Sequence, residues 1–134
     1  MTATVDLRVR FSVDDEELSR LHARAFGSPD AGTTPWRARL ERHSVAWVGA
    51  FDGNELVGFV HACGDGGTHA FVLDTIVDPG HQRRGIASAL IHTLRAEVTA
   101  AGYSWLHVDY EPALESFYAS CGFRSTLAGL IRLD

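Results

Sequence analysis

The alternation of apolar and polar positions predicts a chain that mixes strands and helices. Val5 to Phe11 alternates with a period of two, which is typical of a strand with one buried face. Acidic residues then follow Ser12, and apolar positions at helical spacing from Leu18 to Phe26 predict a helix. The turn-rich segment Gly27 to Pro35 is predicted to be a loop, and Trp36 to Arg42 a second short helix.

The middle of the chain predicts three antiparallel strands followed by a long helix. The strands are predicted at Val45–Phe51, Leu56–Cys63 and Ala70–Val77, and the turn Asp52–Glu55 joins the first two as a hairpin. After a short loop, the apolar spacing from Gly85 to Ala101 predicts a helix.

The last third predicts a crossover back to the sheet. Trp105–Tyr110 reads as a strand, and because a helix precedes it we expect it to lie parallel to the strand at Ala70–Val77. A helix is predicted at Ala113–Ser120, after Pro112. Two final short strands are predicted at Phe123–Thr126 and Leu130–Leu133.

Composition narrows the class of protein. The 134 residues are expected to form a single domain, 1–134. The formal net charge of −5 argues against a nucleic-acid binder, and no apolar run reaches the length of a membrane span. The N-terminus lacks the apolar core of a signal peptide, so we expect a cytoplasmic protein with no membrane partner.

Cysteine and histidine positions indicate neither a disulfide nor a metal. Cys63 and Cys121 are far apart in sequence and are expected to be reduced, buried thiols. The seven histidines show no spacing typical of metal ligands, so no metal is predicted.

The loop before the long helix has the composition of a phosphate site. Arg83, Arg84 and Gly85 lie where the helix begins, and the first N–H groups of a helix attract anions. Arginine donates charge-assisted hydrogen bonds to phosphate, and glycine allows close backbone approach. The chain has no lysine, which excludes a Walker loop. The alternative is an ordinary surface loop with two solvated arginines.

Two motifs together resemble the GNAT superfamily of acyl-CoA-dependent N-acyltransferases. The first is Gln-x-x-Gly-x-Ala from Gln82 to Ala87, between a strand and a helix, and the second is Phe-Tyr-x-x-Cys-Gly-Phe from Phe117 to Phe123. The resemblance covers the chain well from Leu56 onward. It implies an α/β (α+β) chain with the GNAT fold, in which a mixed, mostly antiparallel twisted sheet has a central parallel pair splayed at the cofactor and helices on both faces.

The resemblance also implies acetyl transfer from acetyl-CoA to an amine by direct attack in a ternary complex. Tyr118 corresponds to the family's general acid, which protonates the departing thiolate. Where the family usually has asparagine this chain has Glu111, so the cofactor arm is held differently or Glu111 faces the amine. The residues expected to bind acetyl-CoA are Ile76, Val77, Gln82, Arg83, Arg84, Gly85, Ile86, Ala87 and Ser88.

The residue that handles the amine stays open among four candidates. Asp74 interrupts an apolar strand, where an unpaired carboxylate is costly. Strand alternation predicts that Val72, Asp74 and Ile76 share one face, and it nominates His107 on the next strand as the partner of Asp74. Asp109 and Glu111 are the other candidates. The remaining histidines, among them His22, His61 and His81, are assigned no role.

Other readings of function and assembly remain open. A non-catalytic acyl-CoA sensor or interaction module is the main alternative to the enzyme. The acceptor is a small-molecule amine or a protein amine. The preferred acyl chain is left open, and so is the oligomeric state, although homodimers are frequent in the family.

Overall fold

The computed structural model describes residues 5–28 and 32–134 as one mixed sheet with helices on both faces. A short 3₁₀ turn at Pro79–His81 precedes the loop before the third helix, and another at Pro112–Leu114 directly precedes the fourth helix. The strands are β1 Asp6–Val9, β2 Ser44–Asp52, β3 Glu55–Gly64, β4 His69–Val77 and β5 Trp105–Val108, and the helices are α1 Asp15–Phe26, α2 Trp36–His43, α3 Ile86–Ala100 and α4 Glu115–Ser120.

The five strands pair in chain order, from β1 at one edge to β5 at the other. The pairs β1–β2, β2–β3 and β3–β4 are antiparallel, and β4–β5 is parallel. The predicted hairpin, the helix crossover and the parallel pair are therefore confirmed.

Apolar side chains on the two faces of the sheet form two separate layers. Helices α3 and α4 cover one face, where Leu90, Leu94 and Tyr118 pack against the strands. Helices α1 and α2 cover the other face, where Leu21, Leu40 and Phe59 are buried. Burial of this apolar surface is the main force that holds the helices to the sheet.

The ends of α1 follow directly from local sequence. Asp14 precedes the helix, and its Oδ1 accepts a hydrogen bond from the Glu17 N–H at 3.0 Å. Gly27 ends the helix with φ of 65°, a left-handed conformation that glycine adopts without a Cβ clash. Beyond this glycine, residues 29–31 of the predicted Gly27–Pro35 loop lie outside the described residues.

A bulge in β4 separates side chains that the sequence placed on one face. Asp74 has φ of 54°, and the register between β3 and β4 shifts between Phe59 and His61. Val72 therefore packs in the α3 layer, whereas Ile76 packs in the layer of α1 and α2. The prediction that Val72, Asp74 and Ile76 share one face is wrong, because the extra residue reverses the alternation.

The two predicted C-terminal strands are absent from the described residues. The chain from Phe123 to Asp134 has no regular secondary structure. The edge strand β5 comes earlier in the chain, and no later strand in the described part of the chain pairs with it. A strand needs a neighbour to accept its hydrogen bonds, and here the segment leaves the body of the protein with its apolar side chains in solvent. The exposed side chains are Leu127, Leu130, Ile131 and Leu133.

The prediction about the two cysteines needs correction. Cys63 and Cys121 are free, but they are half-buried rather than buried. Trp36 is only 3% exposed and belongs to the core, whereas Phe26 is exposed. Within the described ranges, every helix is too short or too polar to cross a lipid bilayer.

Candidate active site

The loop between β4 and α3 is exposed and held in an unusual backbone conformation. Gln82, Arg83, Arg84 and Gly85 are all exposed to solvent. Arg83 has φ of 64° and Gly85 has φ of 77°, so two left-handed residues turn the chain sharply into the helix. The left-handed conformation is costly for arginine and easy for glycine, and such strain is often found where a loop binds a ligand.

The N-terminus of α3 is free to bind an anion. Gly85 is the residue that precedes the helix, and no side chain caps the first turn. The first intrahelical hydrogen bond runs from the Ala89 N–H to the Gly85 carbonyl at 3.1 Å, so the N–H groups before Ala89 have no acceptor inside the helix. A Cβ added at Gly85 would meet nothing within 4 Å.

Strands β4 and β5 separate beside this loop. Their parallel pairing begins at His69 and Trp105 and ends at Val72 and Val108, whereas β4 continues to Val77. The part of β4 after Val72 therefore presents unpaired main-chain groups towards the gap left by β5. An extended ligand arm can pair with such an edge as a further strand would.

A groove between α3 and α4 leads away from the loop. Its volume is about 500 Å³. The side of α3 contributes Ser88 and Arg95, and the end of α4 contributes Ser120 and Cys121. Ser88 in the first turn of α3 lines this groove, so the groove begins beside the loop Gln82–Gly85.

Tyr118 on α4 has a buried ring and a free hydroxyl. The residue is 5% exposed, and its ring stacks on Tyr110 with centroids 5.0 Å apart. Phe117 and Phe123 contact the same ring edge to face. The hydroxyl makes no hydrogen bond to any residue that the structure describes, so it remains available to donate a proton.

On the opposite face of the sheet, Asp74 receives a hydrogen bond from a buried histidine. His61 is 1% exposed, and its Nε2–H donates to Asp74 Oδ2 at 2.8 Å. Ser44 Oγ lies 2.9 Å from His61 Nδ1, and in the neutral imidazole this nitrogen accepts from the hydroxyl. The chain Ser44–His61–Asp74 thus fixes the orientation of the carboxylate.

Two further side chains bring Asp74 into contact with α1 and α2. His22 Nε2 lies 3.4 Å from Asp74 Oδ1, and an Arg39 nitrogen lies 3.9 Å from Oδ2. The His22 ring packs against Phe26 and Trp36, with centroids 4.6 and 5.4 Å away. Because Asp74 is still partly exposed, a ligand can reach this group of residues from solvent.

Asp74 is ionised at neutral pH. Burial by itself raises the pKa of this carboxyl, but the hydrogen bond from His61 and the favourable electrostatic interactions with His61, Arg39 and His22 outweigh burial. Together they hold the pKa of Asp74 below its ordinary value of 3.8.

The predicted pairing of Asp74 with His107 is wrong. His107 Nε2 instead shares a hydrogen bond of 2.7 Å with His69 Nδ1, and its ring stacks on Phe71. The bulge at Asp74 turns that side chain towards α1, whereas His107 pairs in register with Phe71 below the bulge.

Asp109 and Glu111 lie beyond the end of β5 and are exposed. Neither carboxylate forms an ion pair or a side-chain hydrogen bond within the described residues. Of the four candidates for the amine, only Asp74 therefore lies in a network that fixes its charge and its orientation.

Sequence reasoning missed the residues that surround Asp74. His22 and His61 are assigned no role by the sequence pattern, although His61 is buried, and Arg39 and Ser44 are not among the predicted site residues. One signal was available: a carboxylate inside an apolar strand requires partners. The partners themselves come from α1, α2 and the start of β2, and local spacing does not reveal that these elements meet at the bulge.

The comparisons with known proteins agree on one family of enzymes. A sequence model described as "Acetyltransferase (GNAT) family" matches residues 15–123. A chloroplastic serotonin N-acetyltransferase 2 from rice (Oryza sativa subsp. japonica) is 31% identical over 114 residues, which are 83% of this chain and 56% of the rice protein. The chain spans about half the length of the first curated relatives that it matches.

Solved structures share the fold over nearly the whole chain. A GNAT-family acetyltransferase from Streptococcus pneumoniae is 27% identical, with a TM-score of 0.75 and 98% of each chain covered. An aminoglycoside N-acetyltransferase solved in complex with CoA is 19% identical, with a TM-score of 0.78, and the match covers 100% of this chain and 97% of that chain.

Proposed function

Because the chain belongs to the GNAT acetyltransferase family, we propose that it transfers an acetyl group from acetyl-CoA to an amine by direct attack in a ternary complex. The observation that carries the proposal is the exposed loop Gln82–Gly85 at an uncapped helix N-terminus, beside the open edge of β4. The match to an aminoglycoside N-acetyltransferase that holds CoA supports the same cosubstrate.

The loop Gln82–Gly85, called the phosphate loop below, fits the pyrophosphate of acetyl-CoA. Two exposed arginines supply positive charge and hydrogen-bond donors, and the N–H groups of Ile86, Ala87 and Ser88 point out of the first turn of α3. The open space at Gly85 lets the phosphate oxygens approach the backbone. In this proposal Gln82, Arg83 and Arg84 hold the phosphates and Ile76 and Val77 contact the pantetheine arm.

Acetyl-CoA supplies an activated acetyl group as a thioester. The amine nitrogen attacks the carbonyl carbon, a C–N bond forms, and the C–S bond breaks. Main-chain N–H groups on the open edge of β4 stabilise the charge that develops on the carbonyl oxygen. Tyr118 donates its hydroxyl proton to the departing thiolate.

Asp74 is proposed to bind the acceptor amine and to receive the proton that the amine loses. Its carboxylate is ionised, is oriented by His61 and lies two residues past the point where β5 leaves β4. A cationic amine is attracted to this carboxylate. The bound amine loses one proton to solvent before its neutral nitrogen attacks, Asp74 takes the second proton as the C–N bond forms, and solvent returns a proton to the Tyr118 phenolate. The partly exposed position of Asp74 beside α1 and α2 fits a small-molecule amine, and a protein amine is the other acceptor class to test.

The test is a thiol-release assay with acetyl-CoA and a panel of small amines and peptides. We expect CoA release that depends on both acetyl-CoA and one class of amine. Asp74→Asn is expected to lower turnover by about 10²-fold or more, because the variant cannot accept the proton. Asp109→Asn is the matched comparison, since it removes an exposed carboxylate beyond β5.

Two outcomes would contradict parts of the proposal. Acetyl-CoA binding without CoA release from any acceptor would favour the non-catalytic sensor. Loss of activity in Asp109→Asn but not in Asp74→Asn would move the amine site from the α1 side of the sheet to the end of β5.

A further inference from the structure

His81, next to the phosphate loop, is held by carboxylates at both ring nitrogens. Its Nδ1 lies 2.8 Å from Asp78 Oδ2, and its Nε2 lies 3.1 Å from Asp52 Oδ2. Asp78 Oδ1 in turn accepts a hydrogen bond from Arg24 Nε at 2.9 Å. We call these four residues, Arg24, Asp52, Asp78 and His81, the loop clamp.

The geometry of the loop clamp is that of a protonated imidazole. An ionised carboxylate only accepts hydrogen bonds, so two carboxylates at the two nitrogens require two N–H donors. A neutral imidazole has one N–H, and the imidazolium has two. When His81 loses its proton, one of the two hydrogen bonds is lost and a carboxylate faces a nitrogen lone pair.

The charges around His81 favour the protonated form. Hydrogen bonds to Asp78 and then Asp52 raise the pKa of His81 above 6.5, against weaker opposing effects of burial and of the Arg84 charge. The hydrogen bond from His81, followed by the hydrogen bond from Arg24, lowers the pKa of Asp78. The groups that face the imidazole are thus two carboxylates and one more distant arginine.

The loop clamp joins three parts of the fold at the entrance of the phosphate loop. Arg24 lies on α1, Asp52 ends β2, and Asp78 and His81 flank the turn between β4 and the loop. The Asp78 N–H also donates to the Val57 carbonyl on β3 at 2.7 Å. The residue after His81 is Gln82, so the clamp holds the chain at the point where the loop starts.

We propose that protonated His81 is a positioning residue that holds the phosphate loop in the shape that binds acetyl-CoA, so that affinity decreases when the imidazole loses its proton. The inference rests on the proposed function, because it assigns acetyl-CoA to this loop. Neither the family match nor the motif assigns a role to His81, and the residue does not have to touch the cosubstrate.

The direction of the pH effect separates His81 from the ligand's own titration. The cation is present below the raised pKa of His81 and is lost as the pH rises through it, so the clamp weakens acetyl-CoA binding on the alkaline side. A phosphate monoester loses its second proton near pH ~6 and becomes more negative, which strengthens binding to arginine as the pH rises. The two effects have opposite signs.

The experiment is calorimetric titration of acetyl-CoA into the protein from about pH 6 to about pH 9. For the wild type we expect the dissociation constant to rise by about tenfold across this range, the effect of losing one charge-assisted hydrogen bond. His81→Gln should bind weakly at the acid end and show no such rise. His43→Gln, an exposed histidine at the end of α2, is the matched control and should follow the wild type.

A second variant and a spectroscopic measurement keep the test independent of folding defects. Asp52→Asn leaves His81 in place but removes one carboxylate, so the pH of the transition should fall. In the free protein, long-range ¹H–¹⁵N spectra at about pH 7 should show both His81 nitrogens protonated.

The outcomes distinguish this inference from the proposed function. Binding by the wild type with the same pH profile as His81→Gln, or a neutral His81 at about pH 7, would overturn the role of His81 and leave acetyl-CoA binding intact. Absence of acetyl-CoA binding by the wild type at every pH would overturn the proposed function, and this inference with it.

Discussion

At the scale of single residues, the backbone of Asp74 decides which side chains meet. Its left-handed φ of 54° puts a bulge in β4 and turns the carboxylate towards His61 and His22. With regular alternation Asp74 would share the face of Val72 and point towards the α3 layer instead. The need for a partner could be predicted from the apolar sequence around Asp74. The bulge could not, because it depends on the shifted pairing of β4 with β3, although aspartate adopts a positive φ more often than most residues.

Asp74→Asn is predicted to change how stability depends on pH. The pKa of Asp74 lies below 3.8 in the folded protein, so its ionised form contributes stability above that value and loses it as the pH falls through the folded pKa. The melting-temperature difference between wild type and variant should therefore be largest near neutral pH and shrink in acid. Thermal unfolding from about pH 3 to about pH 7 measures it. A difference that stays constant with pH would contradict the ionised network.

Tyr118→Phe is predicted to separate turnover from binding. The ring keeps its stacking on Tyr110, so acetyl-CoA affinity should change less than about threefold, whereas loss of the proton donor lowers turnover by about 10²-fold. Steady-state kinetics beside calorimetry gives both values. Tyr110→Phe is the control, because it removes a hydroxyl whose hydrogen-bond partner among the described residues is Ser125 alone. Full turnover by the Tyr118 variant would remove this residue from the mechanism.

At the scale of elements, the strand–loop–helix around the phosphate loop was well predicted and the C-terminal strands were not. Gly85 and the apolar spacing of α3 are strong local signals, and the helix observed at Ile86–Ala100 lies within the predicted Gly85–Ala101. Short apolar runs such as Leu130–Leu133 resemble strands equally well, but a strand forms only where a neighbour pairs with it. That condition depends on the rest of the fold.

Truncating a core side chain and truncating a side chain of the exposed C-terminal segment are predicted to change the free energy of unfolding by very different amounts. Leu90→Ala on α3 removes a fully buried side chain and should lower the free energy of unfolding by about 3 kcal/mol. Ile131→Ala removes a side chain that is 80% exposed and should change it by less than about 0.5 kcal/mol. Urea unfolding measures both. A cost for Ile131→Ala comparable to that of Leu90→Ala would show that the segment packs against a surface in solution.

At the scale of the whole molecule, the parallel pair and the two helix layers place the proposed site at one end of the sheet. The loop and the open edge of β4 lie beyond the point where β5 leaves, and Asp74 and Tyr118 approach that end from opposite faces. The parallel pair β4–β5 and its helix crossover could be predicted, because βαβ connections follow general rules. The convergence of α1, α2 and β3 on Asp74 depends on long-range packing and could not.

The net charge of the whole protein is unfavourable for binding an anionic cosubstrate. The formal charge of −5 repels acetyl-CoA, so binding must depend on local arginines at the exposed loop. We predict that raising the ionic strength from about 0.05 M to about 0.5 M weakens acetyl-CoA binding, because exposed ion pairs are screened. Calorimetry at several salt concentrations measures this. An affinity that does not change with salt would contradict phosphate binding at Arg83 and Arg84.

The most direct test of the central claim is calorimetric titration of acetyl-CoA into the wild type, Gly85→Glu and Gly66→Glu. Gly66 also has a positive φ and open space around it, but it lies in the turn between β3 and β4, at the far end of β4 from the loop. We expect micromolar binding, on the order of 1–100 μM, by the wild type and the Gly66 variant, and a loss of about 10²-fold or more in Gly85→Glu, which puts bulk and negative charge where the phosphates bind. Equal affinity in the two variants would contradict the assignment of acetyl-CoA to this loop.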